Sequence, residues 1–82
     1  RFAEALPHLD TALQRFSDAN STFDVARIHV DLGYALEHTG DITGALRHLE
    51  MATELWRDLG NPGDYTQACL DFEQLRSQFL PE

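Results

Sequence analysis

The side chains of this 82-residue chain that could do chemistry are four histidines, one cysteine, three serines and fourteen carboxylates. His8, His29, His38 and His48 are the candidate metal ligands. His8 and His48 have Asp10 and Glu50 two residues on, which puts those carboxylates on another side of any helix. His29 and His38 are nine residues apart, roughly 180° out of phase on a helix. No HExxH, no CxxC and no facing Glu-x-x-His pair occurs. The histidines are therefore expected to be solvated or capping, with His38 in a last helical turn where a cation suits the helix dipole. Cys69 stands beside Ala68 and Phe72 on an apolar face, as a buried, inert thiol would. Ser17, Ser21 and Ser77 lack a G-x-S-x-G context, the glycines form no phosphate-cradling loop, and the carboxylates offer no acid/base pair. The expectation is a chain with no enzymatic activity, no metal and no cofactor.

Composition narrows the classes further. The length fits one domain, burying roughly 60–65 % of the unfolded chain's surface. An apolar fraction of 43 % and a charged fraction of 24 % are those of a folded protein. Six arginines and no lysine leave a net charge of −8, which repels polyphosphate and predicts no nucleic-acid binding by this segment. The single cysteine excludes an internal disulfide and suits a reducing, cytoplasmic compartment. No apolar run approaches the roughly 20 residues of a membrane span, and no signal-peptide pattern opens the chain.

The elements that must position these side chains are helices. Phe2, Ala5, Leu6, Leu9, Ala12, Leu13 and Phe16 recur at spacings of three and four, predicting a helix over 1–17, kinked but continuous at Pro7. After a polar break at Asp18-Ala19-Asn20-Ser21, Ser21 is the expected cap of a second helix over about 22–38. Gly40 suits the left-handed position after that helix, and Asp41 caps a third over about 42–58. Gly60 stops the third. Asn61-Pro62 starts a fourth, within 61–80, closed by Pro81. No window alternates with period two, so the class is all-α.

The chain repeats itself. A single shift that lays Ala5 on Ala45 also aligns Leu6 with Leu46, His8 with His48, Leu9 with Leu49 and Ala12 with Ala52. The same shift aligns Asp18 with Asp58, Asp24 with Asp64, Asp31 with Asp71 and Ser21 with Asn61. Two helices per unit at such a period predict antiparallel helix-turn-helix repeats forming a short α-solenoid. Gly33 and Ala45 are expected to face each other where helices two and three cross most closely.

Leu32-Gly33, Leu36, Gly40-Asp41, Ala45, Leu49 and Ala52 stand at spacings that resemble the tetratricopeptide repeat. The resemblance divides the chain into the second helix of one unit (1–17), a complete unit (22–59) and the first helix of another (61–80). His29 replaces the family's early aromatic, Leu36 its tyrosine and Arg57 its closing proline, and Glu73 replaces Gly33 in the next unit. The period and the run L-W-R-D-L-G-N are similar to arrays of large bacterial transcriptional regulators and signalling ATPases, and also to kinesin-light-chain and polarity-scaffold arrays.

This resemblance implies a non-enzymatic protein-interaction module, the sensor or scaffold part of a larger bacterial regulator, with a protein or peptide partner. First helices line the concave face in such arrays, which would place Arg27, Val30, Tyr34 and Glu37 there, followed by Gln67, Leu70, Gln74 and Ser77. That mixture suits an extended peptide or helix with apolar anchors and limited charge. The alternatives are a small-molecule or signal-peptide receptor and, third, a fragment of a helical enzyme. Open repeat ends, around 65–80 and around Leu6 and Leu13, are expected to self-associate.

Overall fold

The computed structural model describes residues 2–79, and all its regular structure is helical: α1 (Phe2–Asp18), α2 (Thr22–Thr39), α3 (Ile42–Leu59) and α4 (Pro62–Phe79). The expected class is all-α, and the fold has it. α2 and α4 start at repeat-equivalent positions, Thr22 and Pro62, and end at another such pair, Thr39 and Phe79. α1 runs unbroken through Pro7, and the Thr11 hydroxyl donates to the Pro7 carbonyl at 3.0 Å. The expected closing Pro81 lies outside the described residues.

All three turns use one construction. Gly40 takes a left-handed backbone (φ 97°); its amide donates to the Glu37 carbonyl at 3.2 Å and the Asp41 amide to Leu36 at 2.9 Å. Gly60 repeats this against Arg57 and Trp56, at 3.0 and 3.1 Å. Asn20 (φ 58°) repeats it against Ser17, with the Ser21 amide reaching Phe16 at 2.9 Å. These paired bonds satisfy carbonyls that a helix end leaves orphaned. Asparagine is the residue other than glycine that tolerates the left-handed position best, so Asn20 serves where a glycine would.

The helix starts differ from one another. Asp41 accepts from the Gly44 amide at 2.9 Å, and Asn61 from the Asp64 amide at 3.4 Å, as caps do. Ser21 departs from the expectation. Its hydroxyl donates to the Asp24 carboxylate and makes no side-chain cap bond to the backbone. The hydroxyl proton goes to a charged acceptor, the stronger kind of hydrogen bond, and the side-chain orientation that makes this bond leaves the oxygen without a backbone amide. That bond, followed by the Arg27 guanidinium at 3.2 Å, lowers the Asp24 pKa.

Each helix packs on its neighbour in sequence. An 18-residue helix is about 27 Å long and neighbours sit roughly 8–10 Å apart, so four side by side fill a slab. The extents of 39 × 31 × 15 Å are those of such a slab. Two patches of the buried core lie along α2–α4, beside Ile28, Leu32 and Ala35 of α2, which are buried as well. One gathers Ala26, Ala52, Trp56 and Ala68; the other gathers Ala45, Leu46, Leu49 and Leu75. α1 contributes no fully buried residue. Cys69, expected to be buried, is only half-buried, because α4 has a packed neighbour on one side alone.

Gly33 marks the close approach of α2 and α3. A Cβ there would stand 3.0 Å from Leu49 Cγ and 3.2 Å from the Ala45 carbonyl oxygen. The crossing is tight at the expected place, but the neighbours are Ala45's backbone and the Leu49 side chain rather than the Ala45 methyl.

Candidate functional site

A groove of about 340 Å³ runs between α2 and α4, with α3 at its floor. Period-3.6 geometry brings Val30, Tyr34 and Glu37 to one face of α2 and Gln74 and Gln78 to the facing side of α4. Leu49 and Leu75, both nearly inaccessible, supply the apolar floor. Of the residues expected on the concave face, Val30, Tyr34, Glu37 and Gln74 line this groove together.

Arg27, Gln67 and Leu70 do not line it. Arg27 sits one turn up α2, half-exposed, 3.2 Å from Asp24 and 4.0 Å from Asp31. Gln67 donates to Asp71 at 3.0 Å, and Leu70 is 59 % exposed outside the lining. Ser77 is likewise exposed outside it.

Five groove residues escaped the sequence reading of this face: Asp31, Asp71 and Gln78, and the floor leucines Leu49 and Leu75. The two aspartates carried a signal. They are repeat partners, and each lies three residues before an expected groove residue, Tyr34 or Gln74. Their presence changes the electrostatics. The lining holds Asp31, Glu37 and Asp71 and no cation. Asp31 has only the distant, exposed Arg27, Asp71 is met by a neutral amide, and Glu37 has no ion-pair partner among the described residues. Such a cleft concentrates negative potential.

Tyr34, 56 % exposed, stands at the groove's rim. Its ring meets His38 edge-on at 4.4 Å and Phe2 at 5.3 Å, while Phe2 stacks on His38 at 4.3 Å. The cluster holds the ring against the end of α2 and leaves its outer face accessible.

The histidines require a correction. His29, 8 % exposed, is not solvated, and with the half-buried His48 it forms a pair between α2 and α3 with Nδ1···Nδ1 at 2.9 Å, where neither caps a helix. Burial, then the neighbouring His48, lowers the His29 pKa; burial also lowers that of His48. The two rings belong to different helices, so no spacing rule within one helix reaches the pair. Among the described residues, no group of three or more histidine, cysteine or carboxylate side chains converges as a metal site would require. No helix described is long and apolar enough to cross a membrane.

No protein-family model matches the chain, and neither a curated protein nor a solved structure shows significant similarity to it.

Proposed function

We propose that this chain is a segment of a tetratricopeptide-type array whose groove between α2 and α4 holds a basic peptide segment by an apolar anchor. The observation that carries the reading is the groove itself: an apolar floor of Leu49 and Leu75 beneath three carboxylates, with an accessible tyrosine at the rim. The apolar side chain of a partner would displace water from the floor, while its arginines or lysines meet Asp31, Glu37 and Asp71. Tyrosine is a frequent anchor at interfaces. Charges of opposite sign at a rim favour encounter and reject acidic competitors. The expectation of limited charge in the partner gives way here, because the one arginine assigned to this face lies outside the groove. Within a larger protein the segment would act as a non-enzymatic sensor or scaffold, in keeping with the resemblance of its repeat period to arrays of bacterial regulators.

Fluorescent peptides with a leucine anchor flanked by arginines, and the same peptides with glutamates, test this by anisotropy titration. Binding of the basic set alone, weakening with salt, is expected. Tyr34→Ala should weaken it about tenfold or more, and Glu37→Gln should lower the salt dependence. Equal affinity for both peptide sets, or full affinity in a folded Tyr34→Ala variant, would refute the assignment.

A further inference from the structure

We infer that His29 and His48 form a proton-sharing latch between α2 and α3, closed while the pair carries a single proton between its two Nδ1 atoms and opened when both rings become imidazolium. The geometry is specific. The ring centroids are 5.1 Å apart and the planes differ by 28°, yet the Nδ1 atoms are only 2.9 Å apart. The centroid separation exceeds the nitrogen separation by little less than one ring diameter, so the two Nδ1 atoms lie nearly on the line joining the rings. The contact is head-to-head in the ring planes: one Nδ1–H donates to the lone pair of the other.

This arrangement leaves no space for a metal ion on that line. Two collinear Zn–N bonds of about 2.0–2.1 Å would need about 4 Å between the nitrogens. It also has no doubly protonated form. Two imidazoliums would aim N–H at N–H within hydrogen-bond distance, with His29 nearly inaccessible and His48 half-buried. The pair sits one turn from the tight Gly33 crossing, since His29 precedes Gly33 by four residues and His48 follows Ala45 by three. The backbones cannot slide apart there without losing that packing.

The charges around the pair set which ring leaves. Asp10 of α1 and Asp41 at the start of α3 favour a cationic His48, and Arg47 opposes it; the charged neighbour of His29 is His48 itself. His48 is half-buried whereas His29 is nearly inaccessible. The first added proton can bind the free Nε2 of the donor ring and leaves the Nδ1–H···Nδ1 bond intact. The second, which would set N–H against N–H, swings the His48 ring outward toward Asp10 and solvent.

The sign follows from the lowered pKa of both rings. Below the ordinary histidine value of 6.5, the folded chain binds fewer protons than the unfolded chain, so stability rises with pH in that window. The latch contributes fully above 6.5 and is lost progressively as the pH falls through and below it.

Melting temperatures at about pH 7.5 and about pH 5, for the wild type and for His48→Gln, test the latch. Glutamine can still bond His29 but cannot titrate. The wild type should lose several degrees more on acidification than His48→Gln. Imidazole 15N spectra of the wild type decide the matter even if the variant folds poorly. At neutral pH they should show one protonated and one bare Nδ1 in the pair, with the second proton taken up only below pH 6.5. Equal acid losses in wild type and His48→Gln, or two rings titrating independently at or above that value, would overturn the latch. So would stabilisation by added Zn²⁺ at neutral pH that His48→Gln abolishes, which would make the pair a metal site instead.

Discussion

Ser21 and Asp41 occupy equivalent places, each following a left-handed residue and preceding a helix, yet only Asp41 bonds a backbone amide of the first turn. The difference lies in what else each side chain can reach. Serine carries a proton to donate and finds the Asp24 carboxylate; ionised aspartate can only accept and finds the Gly44 amide. Asp41→Ala should therefore cost about 1 kcal/mol of unfolding free energy. Ser21→Ala should cost less, because the bond it removes is a part-buried side-chain pair whose acceptor keeps Arg27 and regains water. Urea titrations of the two variants measure both, and a larger loss at Ser21 than at Asp41 would refute this ranking.

At the scale of elements, the α2–α3 pair is the best-determined part of the fold. It holds the Gly33 crossing, the histidine pair and most of both core patches. A valine at position 33 would press on Leu49, which can adjust, and on the Ala45 carbonyl, which cannot. Gly33→Val should cost on the order of 1–3 kcal/mol. At the repeat-equivalent position, Glu73 is exposed and pairs with Arg76 at 2.8 Å, so Glu73→Val should cost far less. Equal losses at the two positions, read from thermal melts, would refute the close-crossing account. α4 is the least regular element in its patterning. Ala68 and Leu75 turn inward, while Leu70 and Phe79, 45 % exposed, turn outward.

Across the whole molecule, helices ranged side by side bury each inner helix on two sides and the outer ones on one. This explains why Ala45, Leu49 and Ala52 of α3 are inaccessible while their repeat counterparts Ala5, Leu9 and Ala12 of α1 are only half-buried. The outer surface of α1 presents Ala12 and Phe16 in a shallow depression with His8, Thr11 and Arg15. With Leu70 and Phe79 exposed on α4, two apolar surfaces lie at opposite edges of the slab. Self-association through these edges is the expected consequence at high concentration. Sedimentation velocity over rising concentration should show a growing average mass, reduced by Phe79→Ser. A monomer throughout, indifferent to that substitution, would mean that the edges are adequately solvated.

By itself the sequence determines the helices, their limits to within a residue or two, the left-handed turn at Gly40, the stop at Gly60, and the offset that relates α2 to α4. All of these are local: apolar spacing, capping chemistry and glycine's tolerance of positive φ act within a few residues of chain. It also determines the Gly33 crossing, because a glycine inside a helix has a cost that close packing must offset. Only the tertiary structure decides which surface residues share a space. Asp31 and Asp71 become one negative groove because α3 holds their helices at a fixed distance, and Arg27 leaves it because a turn of helix carries its guanidinium past the rim. His29 and His48 look separately like solvated side chains, and the antiparallel register of α2 on α3 alone brings their nitrogens to 2.9 Å. Periodicity assigns each residue to a face of its own helix; the rotation and stagger of one helix against the next, which set such distances, are collective properties of packing.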